Sequence, residues 1–410
     1  MKYIFFTFVF MIVCLGVYFG YEYLKEKPPD FLIEFVTKTE EPLPLPEGKL
    51  APLKVKDGFV TTIFARDTPG ARVLIKDQDA NLLVSLTKEG KVVALPDKDN
   101  SGEADSSEII LSGLDRPHGI LVRCENETDT SKKNCTLFVA ETRTLKSYTY
   151  NVKDFTVTNE QRLLEFPKDG GHFTRTLLMH PNNTELLISV GSSCNVCIES
   201  DPRRATVLSY NLQTKAQTIF ASGLRNSVFL AVDPVTKLVW GTDNGRDLLG
   251  DTIPPDEINI IESGKYYGWP HCYGQNVFDS DFRGSRESNN CQLAIPSHID
   301  LQAHSAALGL AFIPISGWPD DMVGNLLVAY HGSWNKGAPT GYKVVYIQLS
   351  KDNDRKAKSE ATDFLTGFLN EGQKVDNAIG RPVGLLVENG GVLYVSDDRA
   401  GAIYKILPVL

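Results

Sequence analysis

The segment KDGGHFTRT, residues 168–176, sets His172 behind two glycines and directly ahead of RTLLMHPNNTELLIS, which reads as strand, turn and strand. A neutral imidazole can accept a proton near pH 7. The glycines beside it leave room for a flat ligand to approach. Other segments share this build, with a polar side chain placed just before an apolar strand. They are His118 in RPHGI, Arg225 and Asn226 in GLRNS, His304 in AHSAALG and Arg381 in GRPVG. Asn244 and His331 instead follow the ends of apolar runs, in TDNG and YHGS. Histidines, arginines and asparagines at matching positions imply one shared opening, with His118 among the side chains that line it.

The elements needed to position them recur. A short apolar core appears six times: LLVS at 82, LFVA at 137, LLIS at 186, LVWG at 238, LLVA at 326 and LYVS at 393. An apolar strand precedes each copy (ARVLI, HGILV, RTLLM, FLAV, LGLAF, VGLLV). Another follows it (KVVALP, LKSYTY, ATVLSYN, DEINII, YKVVYIQL, AIYKIL). The period is loose, roughly 50 to 90 residues, as expected of repeats carrying loop insertions. No amphipathic helix longer than two turns interrupts the pattern. Six small antiparallel sheets, none able to bury both faces alone, predict an all-β fold, a six-bladed β-propeller. Its domain spans residues 55–410, and loops entering the innermost strands line one mouth of the axial channel.

Residues 97–108, DKDNSGEADSSE, match the spacing of a calcium loop. Asp97, Asp99 and Ser101 would offer side-chain oxygens and Glu103 its carbonyl. Asp105 would bind directly or through water, Glu108 would bind in bidentate fashion, and Gly102 permits the turn. Strand-like flanks in place of helices make this a structural calcium expectation, remote from the channel. Six cysteines beyond Cys14 fall into local pairs, Cys124 with Cys135, Cys194 with Cys197 and Cys272 with Cys291. Proximity favours those three disulfides among fifteen possible pairings. CxxC spacing in SCNVC would also suit zinc, but no second pair or nearby histidine completes such a site.

The chain has 410 residues and a formal charge of −9, with no long basic run. That argues against nucleic acid as a partner and for a small molecule. Residues 1–24 hold an apolar run from Tyr3 to about Tyr21 and read as a signal-anchor or a signal peptide. Residues 25–54, charged and Pro-rich, read as an extended stalk. An uncleaved segment at residues 3–21 would make a membrane the partner of an extracellular or cell-surface propeller. The sequons at Asn126, Asn134 and Asn182 suit glycosylation in the secretory pathway.

RPHGI, GGHFTRT, GSSCNVC, GLRNS, GDTIPPDEINIIESGKYYGWPHCYG, HGSWNKGAPTGYKVV and GRPVGLLVENGGVLYVSDDRAGAIYKI together carry a family likeness. Over about residues 50–410 the chain resembles the soluble glucose/sorbosone dehydrogenases, most of all their fungal pyranose-dehydrogenase branch. These are six-bladed quinoproteins that oxidise sugars with pyrroloquinoline quinone (PQQ). The resemblance implies His172 as catalytic base, Arg225 and Asn226 against the quinone, and Arg381 on a PQQ carboxylate. It implies Asn244 beside the cofactor, with Gly245 and Arg246 supplying carbonyls to a calcium that also touches PQQ. His331 stands where bacterial relatives carry a lysine, and Ser192 where an aspartate supports the histidine. The sugar and the electron acceptor stay open. Two alternatives use the same scaffold: a tethered binding propeller without catalysis, and a calcium-dependent lactonase-type hydrolase.

Overall fold

In the computed structural model, residues 53–124, 134–168, 170–282, 290–369, 372 and 374–409 are described. The apolar run at 3–21, nearly all of the stalk and Asn126 lie outside them. Six sheets, each with a four-stranded antiparallel core, form the domain, and two of them carry a fifth edge strand, Lys54–Val55 on the fifth blade and, running parallel, Lys265–Tyr266 on the third. Blade I comprises Ala71–Lys76, Leu82–Leu86, Lys91–Leu95 and Glu108–Leu111. Blade II comprises Ile120–Cys124, Asn134–Ala140, Thr144–Asn151 and Thr156–Glu165. Blade III has Leu177–Met179, Glu185–Val190, Thr206–Asn211 and Gln217–Ser222. Blade IV has Leu230–Val232, Val239–Asp243, Asp256–Ile261 and Ile299–Leu301, and blade V has Ala307–Phe312, Leu326–Tyr330, Lys343–Ile347 and Thr362–Thr366. Blade VI takes Pro382–Val387, Leu393–Asp397 and Ala402–Pro408 from the end of the chain and Phe59–Ala65 from its beginning. The expected six-bladed propeller is the fold found, and each recurring apolar core is the second strand of a blade.

Those second strands are largely apolar because both faces of a blade are covered by neighbours. Every residue of Leu82–Leu86, Val239–Asp243, Leu326–Tyr330 and Leu393–Asp397 is buried. The outermost strands see water and lose that character: Thr156–Glu165 is polar and mostly exposed. The innermost strands approach one another closely around the axis. A Cβ on Gly384 would lie 2.1 Å from the Arg72 carbonyl oxygen, so blade VI can meet blade I only with glycine there.

Closure of the ring was not legible in the repeats. Phe59–Ala65 pairs antiparallel with Ala402–Pro408, joining the two ends of the propeller in one sheet. Lys54, placed at the end of the stalk by sequence, is already paired: Lys54–Val55 adds a fifth strand to blade V, with Lys54 opposite Thr366. The expected disulfides Cys124–Cys135, Cys194–Cys197 and Cys272–Cys291 are all formed. Asn134 opens the second strand of blade II. Asn182 sits exposed in the turn before Glu185, to which its amide donates.

Phe59 shows how the closing strand is held. It is buried, with its ring 5.4 Å from Trp318 and 5.1 Å from Phe364, both belonging to blade V and its turns. Phe59→Ala should destabilise the propeller by about 3–5 kcal/mol, as for other large aromatic truncations in cores. A urea midpoint within error of wild type would mean that the closing strand is not anchored there.

Candidate functional site

The loops that enter each first strand and leave each second strand open at the same end of the axis. There the polar residues form one connected ring. His172 precedes the first strand of blade III, and its main chain is fixed by its N–H donating to the Ser192 carbonyl at 3.0 Å. Arg175, fully buried, and Arg204 both donate to the His172 carbonyl, at 2.9 and 3.4 Å. Gly191 is required for this packing. A Cβ there would sit 2.6 Å from the His172 Cβ and 2.7 Å from the Asn226 Oδ1.

The tautomer of His172 follows from its neighbours. Nδ1 lies 3.1 Å from the Ser192 carbonyl and 3.0 Å from the Ser192 Oγ. That hydroxyl donates its only proton to the Cys194 carbonyl at 2.6 Å. Both partners of Nδ1 are therefore acceptors, so Nδ1 carries the hydrogen and Nε2 keeps its lone pair. Nε2 has no partner among the described residues. Burial, with Arg225 nearby, pushes the His172 pKa down to about 3. Ser192 sets the ring's orientation, and the upward pull of its carbonyl on the pKa is outweighed by burial and Arg225.

Arg225 and Asn226, ahead of blade IV, are held by a carboxylate that the sequence did not single out. Asp243 ends the second strand of that blade and accepts the Arg225 N–H at 2.9 Å and the Asn226 N–H at 2.5 Å. Asp397 does the same in blade VI, taking the Arg381 N–H at 2.9 Å. The Arg225 guanidinium is nearly used up within the protein. It donates to the Asn195 carbonyl and Oδ1, to the Asn244 carbonyl and to Asp247. That leaves one of its five N–H bonds for a ligand. Asn226 donates to the Asn244 Oδ1 at 3.2 Å, and Asn244 reaches the Ala307 carbonyl of blade V at 2.8 Å.

Asn195, inside the Cys194–Cys197 loop, was missed by sequence reasoning, although its place between two bonded cysteines gave a signal. It also donates to the Asp247 carbonyl at 3.1 Å, and Asp247 in turn accepts from Asn335 of blade V at 2.9 Å. The small disulfide loop thus ties three blades together. Behind Arg225 lies a cavity of about 20 Å³ lined by Asp243, Gly245, Glu257 and Trp269 among others, room for about one water.

On the far side, Asp398 gathers two guanidinium groups and an imidazole. Arg72 of blade I donates to it at 2.8 Å, Arg381 of blade VI at 3.2 Å, and the His331 Nε2 of blade V lies 3.1 Å away. Burial alone would raise the pKa of Asp398. Arg381, His331 and Arg72 instead hold it well below the usual carboxylate range. Burial pushes His331 down to about 4. Arg72 reaches the axis because a register shift between Ala71 and Leu74 puts it in a bulge. Arg381 is about one-third exposed, and its terminal nitrogens have no partner among the described residues. Phe173 closes the ring, with Arg72 5.8 Å and Arg116 4.9 Å from its centroid.

Two expectations meet a different placement, those for His118 and for the 97–108 loop. His118 does not line the mouth: it is fully buried against Phe173 and Phe229, near Thr176. Burial pushes its pKa well below the ordinary value. Arg246 turns its side chain away, 2.7 Å from Asp281 and 3.3 Å from Asp279 in the insertion closed by Cys272–Cys291. Its carbonyl and that of Gly245 accept no hydrogen bond among the described residues. In the 97–108 loop the side chains cap their own backbone instead of converging. Asp97 accepts from the Gly102 N–H, Asp99 from Ser101, Asp105 from Lys98 and Glu108 from the Ser106 hydroxyl. Ser101 and Glu103 bond to each other, and the Lys405 ammonium stands 3.9 Å from Asp97. Among the described residues the one close triad of potential metal ligands is Cys194, Cys197 and Glu199, and its two sulfurs are bonded to each other.

A six-bladed propeller with a cation-ringed mouth and one oriented imidazole defines the class. The chain belongs to the TrAA12-like family, whose model matches residues 53–408. An uncharacterised protein of Borreliella burgdorferi is 30% identical, covering 92% of this chain and 94% of its own. The pyrroloquinoline quinone-dependent pyranose dehydrogenase of Coprinopsis cinerea is 25% identical over 86% of this chain, which spans about half (54%) of that relative. The iodide structure of the Trichoderma reesei family AA12 carbohydrate-active enzyme superposes with a TM-score of 0.74. Its identity is 21%, and the match covers 87% of this chain and 98% of that one.

The His172 ring should stay neutral well below the range where a free imidazole protonates. In an NMR titration of the protein purified without cofactor, its ring nitrogens should keep the Nδ1–H pattern at pH 5. Protonation midway between pH 6 and 7 would show that burial and Arg225 do not govern this residue.

Proposed function

We propose that this protein oxidises a sugar at C1 with PQQ as the electron acceptor in the site. Two side chains facing one mouth carry this reading: an imidazole with a free Nε2 and an arginine with free terminal nitrogens. Family membership supports the same chemistry. The residues fit an anionic, planar cofactor. Arg381 offers two unpaired N–H edges to a carboxylate, fixed in place by Asp398 and by Asp397 on its backbone. Phe173 presents an aromatic edge beside the same cations. The unbonded carbonyls of Gly245 and Arg246 are hard oxygens suited to a calcium in the channel. The 97–108 loop is not needed for this activity.

Bound PQQ would supply the hydride acceptor; the protein's own residues do the rest. His172 accepts the C1 hydroxyl proton at Nε2 while Ser192 keeps Nδ1–H in place. The resulting imidazolium is stabilised by that hydrogen bond, though Arg225 disfavours it, which helps return the proton after each turnover. The remaining N–H of Arg225 is placed to meet negative charge growing on an acceptor oxygen. The insertion tied to Arg246 through Asp279 and Asp281 is the natural seat of sugar selectivity.

Two measurements test the assignment. Titration calorimetry of the protein with PQQ and calcium should show stoichiometric binding, weakened in Arg381→Ala by about 1.5–3 kcal/mol, the usual worth of a hydrogen bond to a charged group. No heat of binding in the wild-type protein would remove the quinoprotein reading. In a dye-reduction assay over aldoses and ketoses, His172→Ala should lower turnover by roughly a hundred- to ten-thousand-fold while keeping PQQ affinity. Near-normal turnover in that variant would move the base elsewhere.

A further inference from the structure

We infer that the mouth-bearing face of the propeller docks against a lipid bilayer surface, through a crest raised by blades III, IV and V. The loops leaving the second strands at this face are unequal. In blades I, II and VI they have three or four residues, whereas blades III, IV and V carry 191–205, 244–255 and 331–342. The long loops brace one another. Asn195 and Asn335 both bond to Asp247, the Gly337 N–H donates to Asp251, and His304 bonds to the Gly250 carbonyl. From this braced wall project Ile198, Leu248, Ile253 and Trp334, respectively 65%, 62%, 43% and 55% exposed. Such a group on three interlocked loops exceeds what a solvated surface requires. Its tryptophan is the residue type that prefers the membrane interface.

Strand direction shows where the chain leaves the propeller. Second strands end at the mouth, so third strands start there and fourth strands end there. Tyr330 pairs with Lys343 and Val344 with Leu365, which puts Thr366 at the mouth end of blade V. Lys54 is paired opposite Thr366. The chain preceding Lys54 therefore departs from the mouth face, in the same sector as the crest. The apolar run Tyr3–Tyr21 lies roughly thirty residues further back, a reach of up to about 100 Å along an extended Pro-rich stalk. Such a tether confines the crest near the bilayer, so apolar docking adds to an attachment already made. With a formal charge of −9 the protein gains nothing from anionic lipid. Docking is apolar and insensitive to salt. Because the crest rises on one side only, the low rim formed by blades I, II and VI stays open as a lateral entrance, suited to saccharides presented at the membrane surface.

The proposal rests on residues 3–21 staying attached and is independent of the quinone reading. Of the four tryptophans, Trp240, Trp269 and Trp318 are buried and Trp334 alone is exposed, which makes it a reporter. The full chain would be reconstituted into zwitterionic phosphatidylcholine vesicles with bromine on the acyl chains. Flotation should carry the protein with the vesicles, and the solvent-reached Trp334 emission should be lost, at low and high salt alike. Trp334→Phe should remove the quenchable component. A tryptophan placed at Ile315, an exposed residue in a turn at the opposite end of blade V, in the Trp334→Phe background should escape quenching. Unquenched Trp334 on floating protein, equal quenching at position 315, or failure to float would each overturn the proposal.

Discussion

Everything in this molecule depends on the fact that no blade can bury its own two faces. A four-stranded sheet with apolar side chains on both sides is stable here only because a neighbour covers each face, and the last neighbour must meet the first. The pairing of Phe59–Ala65 with Ala402–Pro408 satisfies that requirement with hydrogen bonds as well as apolar contact. It makes the six sheets one cooperative body. The axis is then narrow, and most polar groups turned toward it are paired.

Within that constraint the chain solves a second problem, how to present cations and an imidazole without letting them collapse onto one another. Buried carboxylates at the ends of second strands do this. Asp243 holds the backbone of Arg225 and Asn226, Asp397 holds that of Arg381, and Glu141 accepts the Asp115 N–H in blade II at 2.6 Å. The clamp fixes the loop while leaving the side chain to other work. Asp398 is different: it neutralises Arg72 and Arg381 together and also bonds the His331 ring. Removing it would leave like charges facing each other in a poorly solvated site, which costs far more than the pair itself contributes.

The contrast between the two arginines is instructive. Arg225 has become a structural brace with one free N–H, since Asn195, Asn244 and Asp247 take the others. Arg381 keeps its terminal nitrogens for a ligand. Sequence gave them equal standing because both precede a first strand. The difference arises from the Cys194–Cys197 loop, which folds over Arg225 and has no counterpart over Arg381.

The sequence by itself determined the six repeats, the three disulfides and the loops from which His172, Arg225, Asn226, Asn244, His331 and Arg381 reach the mouth. It could do so because strands buried on both faces are written as continuous apolar runs, and runs of equal type imply equal positions. Tertiary structure alone decided three other things. It buried His118, although RPHGI looks like GRPVG, since Phe173 and Phe229 from neighbouring strand entries cover its ring. It turned the 97–108 carboxylates onto their own backbone, because ligand spacing along a chain does not fix where side chains point. It recruited Asp243, Asp397, Asp398, Asn195 and Arg72, whose partners lie on other strands or other blades. Contacts between residues far apart in sequence leave no local pattern, and they are the ones that set protonation, orientation and free valence in this site.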